Sequence, residues 1–123
     1  MATAKPEHYA KDILDHFELT PYFDVIVGAN YERGLLHKKE ILEKALELCG
    51  NPLTDENGNR MVFMVGDRKY DVEAANELGC ISVGVTYGYG TEAELKEADA
   101  EYLCDDVDEI ADVLDLEALM VRR

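Results

Sequence analysis

Residues 61–71 of the chain read Met-Val-Phe-Met-Val-Gly-Asp-Arg-Lys-Tyr-Asp. The first five are all apolar, and such a continuous run is typical of a strand that is covered on both faces in a parallel sheet. Residues 80–85, Cys-Ile-Ser-Val-Gly-Val, predict a second strand, and Tyr70–Leu78 between the two strands predicts a helix that ends at Gly79. A strand, a helix and a strand in this order predict a right-handed crossover between adjacent parallel strands.

The alternation between helix and strand patterns continues on both sides of this crossover. We predict further helices at 6–17, at 38–49, after Thr91 with a Thr91–Glu94 capping box, and from 106 onward, and further strands at 23–28 and 101–104. In the first helix one face carries Ala10, Ile13, Leu14 and Phe17, and we expect this face to be buried. Helices that alternate with strands over 123 residues predict one α/β domain, residues 1–123, built as a three-layered, doubly wound Rossmann-like parallel sheet.

The charge balance excludes several classes of partner. The chain carries 27 Asp and Glu residues against 12 Lys and Arg residues, which gives a formal net charge of −15. Nucleic-acid backbones and anionic membrane surfaces repel such a chain, so we expect neither as a partner. The first residues lack the apolar core of a signal peptide, and no run reaches the length of a membrane span. These features predict a soluble cytoplasmic protein.

The cysteines and histidines do not suggest a metal or disulfide site. Cys49, Cys80 and Cys104 are odd in number and have no C-x-x-C spacing, so we expect reduced and mostly buried thiols. His8, His16 and His37 lie on polar helix faces, where we expect them to be exposed.

Asp67 and Asp71 give the strongest signal for chemistry. Asp67 directly follows the apolar strand at 61–65, and Asp71 lies in the first turn of the next helix. Because ligands of doubly wound folds bind at the carboxyl ends of strands, the two carboxylates could hold Mg²⁺ with water and substrate oxygens as its other ligands. The alternative is that both residues only cap the helix, where Asp is favoured in any case.

Two further positions could bind a phosphate. Lys38 and Lys39 open a predicted helix, where a positive charge opposes the helix dipole, so either lysine could be there to face an anion. Thr3 precedes the first helix, and its hydroxyl together with nearby backbone N–H groups could hold phosphate oxygens. Taken alone, both observations also fit ordinary solvated polar residues.

The order of these motifs resembles that of a known family. The chain carries Thr-Ala-Lys-Pro at 3–6, then Lys38, then Val-Gly-Asp-Arg-Lys-Tyr-Asp at 65–71, then Gly-Val-Thr-Tyr-Gly-Tyr-Gly at 84–90. Over essentially its whole length it resembles the haloacid dehalogenase-like (HAD) hydrolases, in their phosphoglycolate phosphatase and 5'-nucleotidase-like branch. The resemblance implies a phosphatase of small phosphorylated metabolites that requires Mg²⁺ and acts through an aspartyl-phosphate.

The resemblance also implies roles for individual residues. Thr3, with Ala4 beside it, matches the residues that bind the phosphoryl oxygens, and Lys38, with Lys39 as its rival, matches the lysine that offsets the negative charge. Asp67 and Asp71 match the acidic residues that hold Mg²⁺, Asp67 more directly. Thr3 and Lys38 are therefore the expected catalytic residues, and Asp67 and Asp71 the expected metal ligands.

One family motif has no match in the chain. The nucleophile of these enzymes stands in an Asp-x-Asp-x-Thr motif, which does not occur here. The chain therefore looks like the C-terminal part of such a core, incomplete at its N-terminal side and without a cap, and we expect it to be inactive by itself. Either a homodimer or a missing N-terminal segment would complete it. Without the nucleophile strand, residues 61–65 would pair with the predicted strand at 23–27 or across two copies.

Two other functions remain open at this stage. A phosphoacceptor receiver-like domain shares the α/β architecture and an acidic site, although its acidic pair follows the first strand. A non-catalytic α/β interaction module would use the same surface for binding alone.

Overall fold

The structure is a computed structural model that describes residues 1–121. The chain divides into two compact units, residues 1–52 and residues 53–123. Each unit builds its own parallel sheet with helices beside it, so the fold class is α/β and Rossmann-like, as the sequence predicts. Within residues 1–121, no helix combines the length and the apolar character that crossing a membrane would require.

The first unit is a single β-α-β crossover followed by a helix. Its elements in chain order are β1 Ala2–Pro6, α1 Glu7–His16, a short 3₁₀ helix Thr20–Tyr22, β2 Val27–Ala29 and α2 Lys38–Leu48. Strands β1 and β2 are parallel neighbours. The small core of this unit contains Val27, Ala29, Ile41 and Ala45, with Ala2, Val25 and Leu35 packed against them.

The close packing of β2 against the start of α1 depends on a glycine. A Cβ atom at Gly28 would lie 2.5 Å from Glu7 Cα and 2.7 Å from Lys5 O, distances that no side chain tolerates. The Gly28 N–H donates a hydrogen bond to Glu7 Oε1 at 3.3 Å. Glycine at this position therefore lets the strand pass directly beneath the helix start.

The second unit contains the remaining elements and the larger sheet. These elements are β3 Phe63–Gly66, α3 Lys69–Leu78, β4 Ile81–Val85, α4 Glu92–Glu97, β5 Tyr102–Cys104 and α5 Val107–Val121. The strands are parallel in the order β3-β4-β5, and Met64 faces Ser82 in the register. The predicted adjacency of β3 and β4 through the crossover helix α3 is confirmed.

The sheet arrangement corrects two expectations. The strands form two parallel sheets rather than one, β1-β2 and β3-β4-β5, and β3 pairs with β4 alone among the described residues. Of the two pairings left open for 61–65, the one with 23–27 is therefore not observed. Strand β3 is an edge strand that is only partly buried, with Val65 40% exposed, whereas β4 is buried along its whole length. The continuous apolar run at 61–65 therefore does not mark the most buried strand.

One smaller expectation, on the buried face of α1, also changes, whereas those on the cysteines and histidines are confirmed. In α1, Ala10 and Leu14 are buried as predicted, but Ile13 and Phe17 are exposed. All three cysteines are free; Cys80 and Cys104 are buried, whereas Cys49 at the end of α2 is exposed. His8, His16 and His37 are exposed, as predicted.

Candidate functional site

In the first unit, Thr3 and Ala4 lie in an irregular segment of β1. Ala2 pairs with Val27, and Pro6 pairs with Ala29. Pro6 is four residues after Ala2 in β1, whereas Ala29 is only two residues after Val27 in β2, so β1 contains extra residues between the two pairs. Such a bulge bends the strand and re-aims its side chains, and it is frequent beside functional sites. Within the bulge, the Thr3 hydroxyl oxygen accepts a hydrogen bond from the Lys5 N–H at 3.2 Å.

Lys38 lies beside this bulged strand. It is the first residue of α2, and its Nζ donates a hydrogen bond to the Ala2 carbonyl oxygen at 3.2 Å. The structure therefore places the Lys38 ammonium next to the residue that precedes Thr3. Lys38 is half-buried and Lys39 is exposed.

A cavity of about 480 Å³ opens at the carboxyl ends of β1 and β2. Its lining residues are Pro6, Glu7, His8, Tyr9, Ala29, Asn30, Tyr31 and Glu32. Neither Thr3 nor Lys38 lines it, and two of its residues are acidic. The residues predicted to bind phosphate therefore lie outside this cavity.

In the second unit, Asp67 and Asp71 follow the end of β3 and are held differently. Asp67 Oδ2 accepts the Tyr89 N–H at 2.8 Å, which fixes the carboxylate to the loop that follows β4. Asp71 is 7% exposed, and its Oδ2 accepts the Arg68 N–H at 3.2 Å. Asp71 therefore caps α3, as one interpretation of the sequence held, whereas Asp67 has no part in capping.

Two glycines make room for these carboxylates. A Cβ atom at Gly66 would lie 2.3 Å from the Asp71 side chain, and one at Gly88 would lie 2.2 Å from Asp67 Cβ. Contacts this short would displace the carboxylate or the backbone. Glycine at both positions therefore allows the backbone to approach the two acidic side chains directly.

The cationic residues between the two carboxylates are held by Glu94 of α4. Arg68 Nε donates to Glu94 Oε2 at 3.1 Å and Arg68 Nη2 donates to Glu94 Oε1 at 3.2 Å, which is a bidentate ion pair. This pairing raises the pKa of Arg68 and lowers the pKa of Glu94. Arg68 and Lys69 also contact the Tyr70 ring, each 5.4 Å from its centroid.

The donor set of the second unit fits magnesium. Asp67 and Asp71 supply hard carboxylate oxygens, and Mg²⁺ is commonly held by one or two carboxylates with waters and substrate phosphate as its other ligands. Within the residues that the structure describes, the hydrogen bond accepted by Asp67 goes to Oδ2, and Oδ1 has no hydrogen-bond donor. No cluster of three or more metal-ligating side chains occurs in the described part of the chain. A cation here would therefore keep much of its water.

The sequence did not predict which residues contact Asp67 and its neighbours Arg68 and Lys69. The Tyr89 N–H, Gly88 and Glu94 all lie on the segment after β4, and Glu94 was expected only to cap its own helix. The signal that could have found them is the pair of glycines at 88 and 90. They follow a strand that neighbours β3, and the ends of adjacent parallel strands meet at one edge of the sheet.

The α/β fold with an acidic segment at the end of β3 is shared with a known family of hydrolases. The family model of HAD-hydrolase-like proteins matches residues 37–110. The chain therefore belongs to the haloacid dehalogenase-like hydrolase superfamily.

The relatives that the chain resembles include phosphatases. The chain is 32% identical over 115 residues to a 5'-nucleotidase of Pseudomonas aeruginosa, covering 94% of this chain and 49% of that protein. It is 33% identical over 105 residues to a phosphoglycolate phosphatase of Salmonella paratyphi A, covering 83% of this chain and 39% of that protein.

A solved structure agrees with these sequence relatives. The crystal structure of a predicted phosphatase from Clostridium acetobutylicum superimposes with a TM-score of 0.80 at 39% identity, over 93% of this chain and 50% of that one. The chain thus spans about half the length of the relatives it matches, or less.

Proposed function

We propose that the chain is part of a Mg²⁺-dependent phosphatase of small phosphorylated metabolites, of the phosphoglycolate or nucleoside monophosphate type. The observation that carries this proposal is the position of Asp67 at the end of β3, where the Tyr89 N–H donates a hydrogen bond to one of its carboxylate oxygens. The names of the relatives support the substrate class, since they include a 5'-nucleotidase and a phosphoglycolate phosphatase.

In this proposal the second unit holds the metal. Asp67 provides the more direct ligand and Asp71 the second, since Asp71 already uses Oδ2 to cap α3. Magnesium, when bound, offsets the charge of carboxylates and phosphate and polarises a phosphoryl oxygen. The chain's own residues prepare this position, because Gly88 leaves room for the Asp67 side chain and the Tyr89 N–H fixes its orientation.

The first unit provides the groups for a phosphate. The Thr3 hydroxyl and the backbone around Ala4 lie in a bulge, where N–H groups are not all used by the regular strand pairing. Lys38 adds a positive charge beside this segment, and an ammonium group has three N–H donors with which to contact oxygens. We propose Lys38 rather than the exposed Lys39 for this role.

The metal assignment can be tested by titrating Mg²⁺ while the backbone amide shifts are recorded by NMR. We expect weak binding with the first and largest shifts at Gly66–Asp71, because only two carboxylates hold the cation. Asp67→Asn should remove these shifts. Largest shifts at Asp55–Asn59, an acidic turn elsewhere in the second unit, would show that the assignment is wrong.

A second test addresses turnover. We propose that the 123-residue chain does not hydrolyse phosphomonoesters, because none of its groups replaces the attacking carboxylate of the Asp-x-Asp-x-Thr motif. Adding a segment with that motif should produce turnover, and Asp67→Asn should then abolish it. Robust hydrolysis by the chain alone that survives both Asp67→Asn and Asp71→Asn would contradict the mechanism.

The receiver-like alternative makes a different prediction. A receiver becomes stably acylphosphorylated when it is incubated with acetyl phosphate, whereas the proposed phosphatase part and a non-catalytic module do not. We expect no increase in mass on intact-protein mass spectrometry after this treatment.

A further inference from the structure

We propose that Glu94 is a positioning residue for the Asp67 carboxylate, and that it acts by keeping the Arg68 guanidinium away from the metal ligands. This inference rests on the proposed function, since it assigns a role toward the same cation. It concerns a residue that touches neither the cation nor the substrate.

The contacts of Glu94 all lead to the segment between the metal ligands. Its Oε1 and Oε2 accept the bidentate pair of hydrogen bonds from Arg68, and Oε2 also accepts the Lys69 N–H at 3.4 Å. The Glu94 side chain is 20% exposed and the Arg68 side chain is 43% exposed, so the pair is partly shielded from water. One carboxylate thus holds both a side chain and the backbone at the start of α3.

Glu94 gives up a local hydrogen bond for these contacts. A capping box requires the N3 carboxylate to turn back to the N–H of the N-cap residue. Half of the box is present, because Thr91 Oγ1 accepts the Glu94 N–H at 3.1 Å. The Glu94 carboxylate, however, turns toward Arg68 and Lys69, so its orientation serves the neighbouring segment rather than its own helix.

The electrostatics explain why Arg68 has to be held. Arg68 directly follows Asp67 in the chain and lies three residues before Asp71, so its guanidinium belongs to the same short segment as both carboxylates. A guanidinium forms strong bidentate hydrogen bonds with any carboxylate within reach. If Glu94 released it, Arg68 could pair with Asp67 or Asp71 and would compete with a divalent cation for the same oxygens.

The backbone at Gly90 also packs closely against Asp67 and Glu94. A Cβ atom at Gly90 would lie 2.0 Å from the Asp67 carbonyl oxygen and 2.5 Å from Glu94 Oε2. The segment that carries Tyr89 and Glu94 therefore lies directly against Asp67 and is tied to it at both the side chain and the neighbouring residues. Loss of the Glu94 contacts would loosen this packing.

The experiment measures Mg²⁺ affinity by NMR titration of the whole chain. Glu94→Gln should weaken binding by about 10- to 100-fold, as is typical when an outer-shell partner of a metal site is lost. The matched control is Glu97→Gln, an exposed residue one turn further along α4 with the same charge change, which should weaken binding less than about twofold through screened charge.

A double variant separates positioning from simple charge. In an Arg68→Gln background no guanidinium competes for the carboxylates, so Glu94→Gln should weaken binding no more than Glu97→Gln does. Glu94→Asp should restore part of the affinity in the otherwise unchanged chain. Equal losses for Glu94→Gln with and without Arg68, or equal losses for Glu94→Gln and Glu97→Gln, would overturn the inference.

A second measurement does not depend on the metal. Amide hydrogen exchange at Tyr89, whose N–H is bound by Asp67, should become at least about tenfold faster in Glu94→Gln and stay unchanged in Glu97→Gln. A wild-type chain that binds no Mg²⁺ contradicts the proposed function, and the exchange at Tyr89 then decides the positioning role alone. Unchanged exchange in Glu94→Gln would overturn that role.

Discussion

Gly88 is the residue at which the smallest change should disturb the candidate site most. We predict that Gly88→Ala displaces the Asp67 carboxylate, because the added Cβ would lie 2.2 Å from Asp67 Cβ and 2.4 Å from Oδ2. The Tyr89 amide resonance should shift, its exchange should accelerate, and the free energy of unfolding should fall by about 1–3 kcal/mol, the usual cost of overpacking. NMR and urea denaturation measure these effects.

Gly84→Ala is the control for this prediction. Its Cβ would meet the ends of the Leu95 and Leu103 side chains, at 3.1–3.3 Å, and not the Asp67 side chain. We expect the Tyr89 amide to be unchanged in this variant. A Tyr89 amide that is equally unchanged in Gly88→Ala would contradict the close approach seen in the structure.

At this scale the sequence indicates the acidic residues but not their partners. Asp67 and Asp71 stand out because they follow an apolar run, a pattern that can be recognised locally. Glu94 does not, since its position after Thr91 fits a capping box equally well, and only the folded chain brings it to Arg68. A contact across 26 residues leaves no local pattern from which it could have been predicted.

At the level of secondary-structure elements, the turn at residues 55–59 before β3 should make the stability of the chain depend on pH. Asp55 accepts hydrogen bonds from the Asn57 N–H at 2.8 Å, the Asn59 N–H at 2.9 Å and Asn59 Nδ2 at 2.9 Å. These bonds, chiefly those from Asn59, lower the pKa of Asp55 below its ordinary value of 3.8. The Asp55 carboxylate is therefore protonated more readily in the unfolded chain than in the folded one. Its contribution to the free energy of unfolding is fully present above the unfolded-state pKa and is lost as the pH falls through the lower folded-state pKa.

We therefore predict that Asp55→Asn lowers the free energy of unfolding near neutral pH and makes its decline on acidification less steep. Urea denaturation followed from about pH 6 to about pH 3 measures both effects. Glu56→Gln is the matched control, since this exposed neighbour makes none of these hydrogen bonds. Parallel pH curves for Asp55→Asn and the wild-type chain would contradict the prediction.

The helices and strands of the chain differ in how well the sequence predicts them. Helices α1, α2 and α3 begin and end within one residue of the predicted bounds, because capping residues and helical spacing lie within the element itself. The predicted strand at 23–28 is observed as β2 Val27–Ala29, and the one at 61–65 as β3 Phe63–Gly66. Strand ends depend on the partner strand, which an apolar run does not specify.

On the scale of the whole molecule, the order of strands was the least predictable feature. The sequence indicates that β3 and β4 are neighbours, because α3 connects them directly. The sequence does not indicate whether a second strand pairs with the other edge of β3. The apolar character of 61–65 fits a central strand as well as an edge strand. Among the described residues β3 has one partner, and this open edge makes association between copies testable.

The direction of the backbone groups on this edge determines the experiment. The Val62 carbonyl oxygen accepts the Ile81 N–H at 2.8 Å, so Val62 faces β4. In a parallel strand the N–H and C=O of one residue point to the same side, and this side alternates along the strand. Met64 therefore also faces β4, whereas Phe63 and Val65 direct their backbone groups to the open edge, where an added strand would bind them.

We predict that the chain self-associates as its concentration rises and that Val65→Pro reduces this association. Proline removes an N–H from the open edge and leaves the hydrogen bonds to β4 in place, which is how natural edge strands avoid pairing. Val65→Thr keeps both the N–H and the β-branched shape, and it should associate like the wild-type chain. Sedimentation velocity over a concentration series measures the association, with circular dichroism to confirm that each variant is folded. A wild-type chain that stays monomeric, or a folded Val65→Pro variant that associates equally well, would show that copies do not pair through β3.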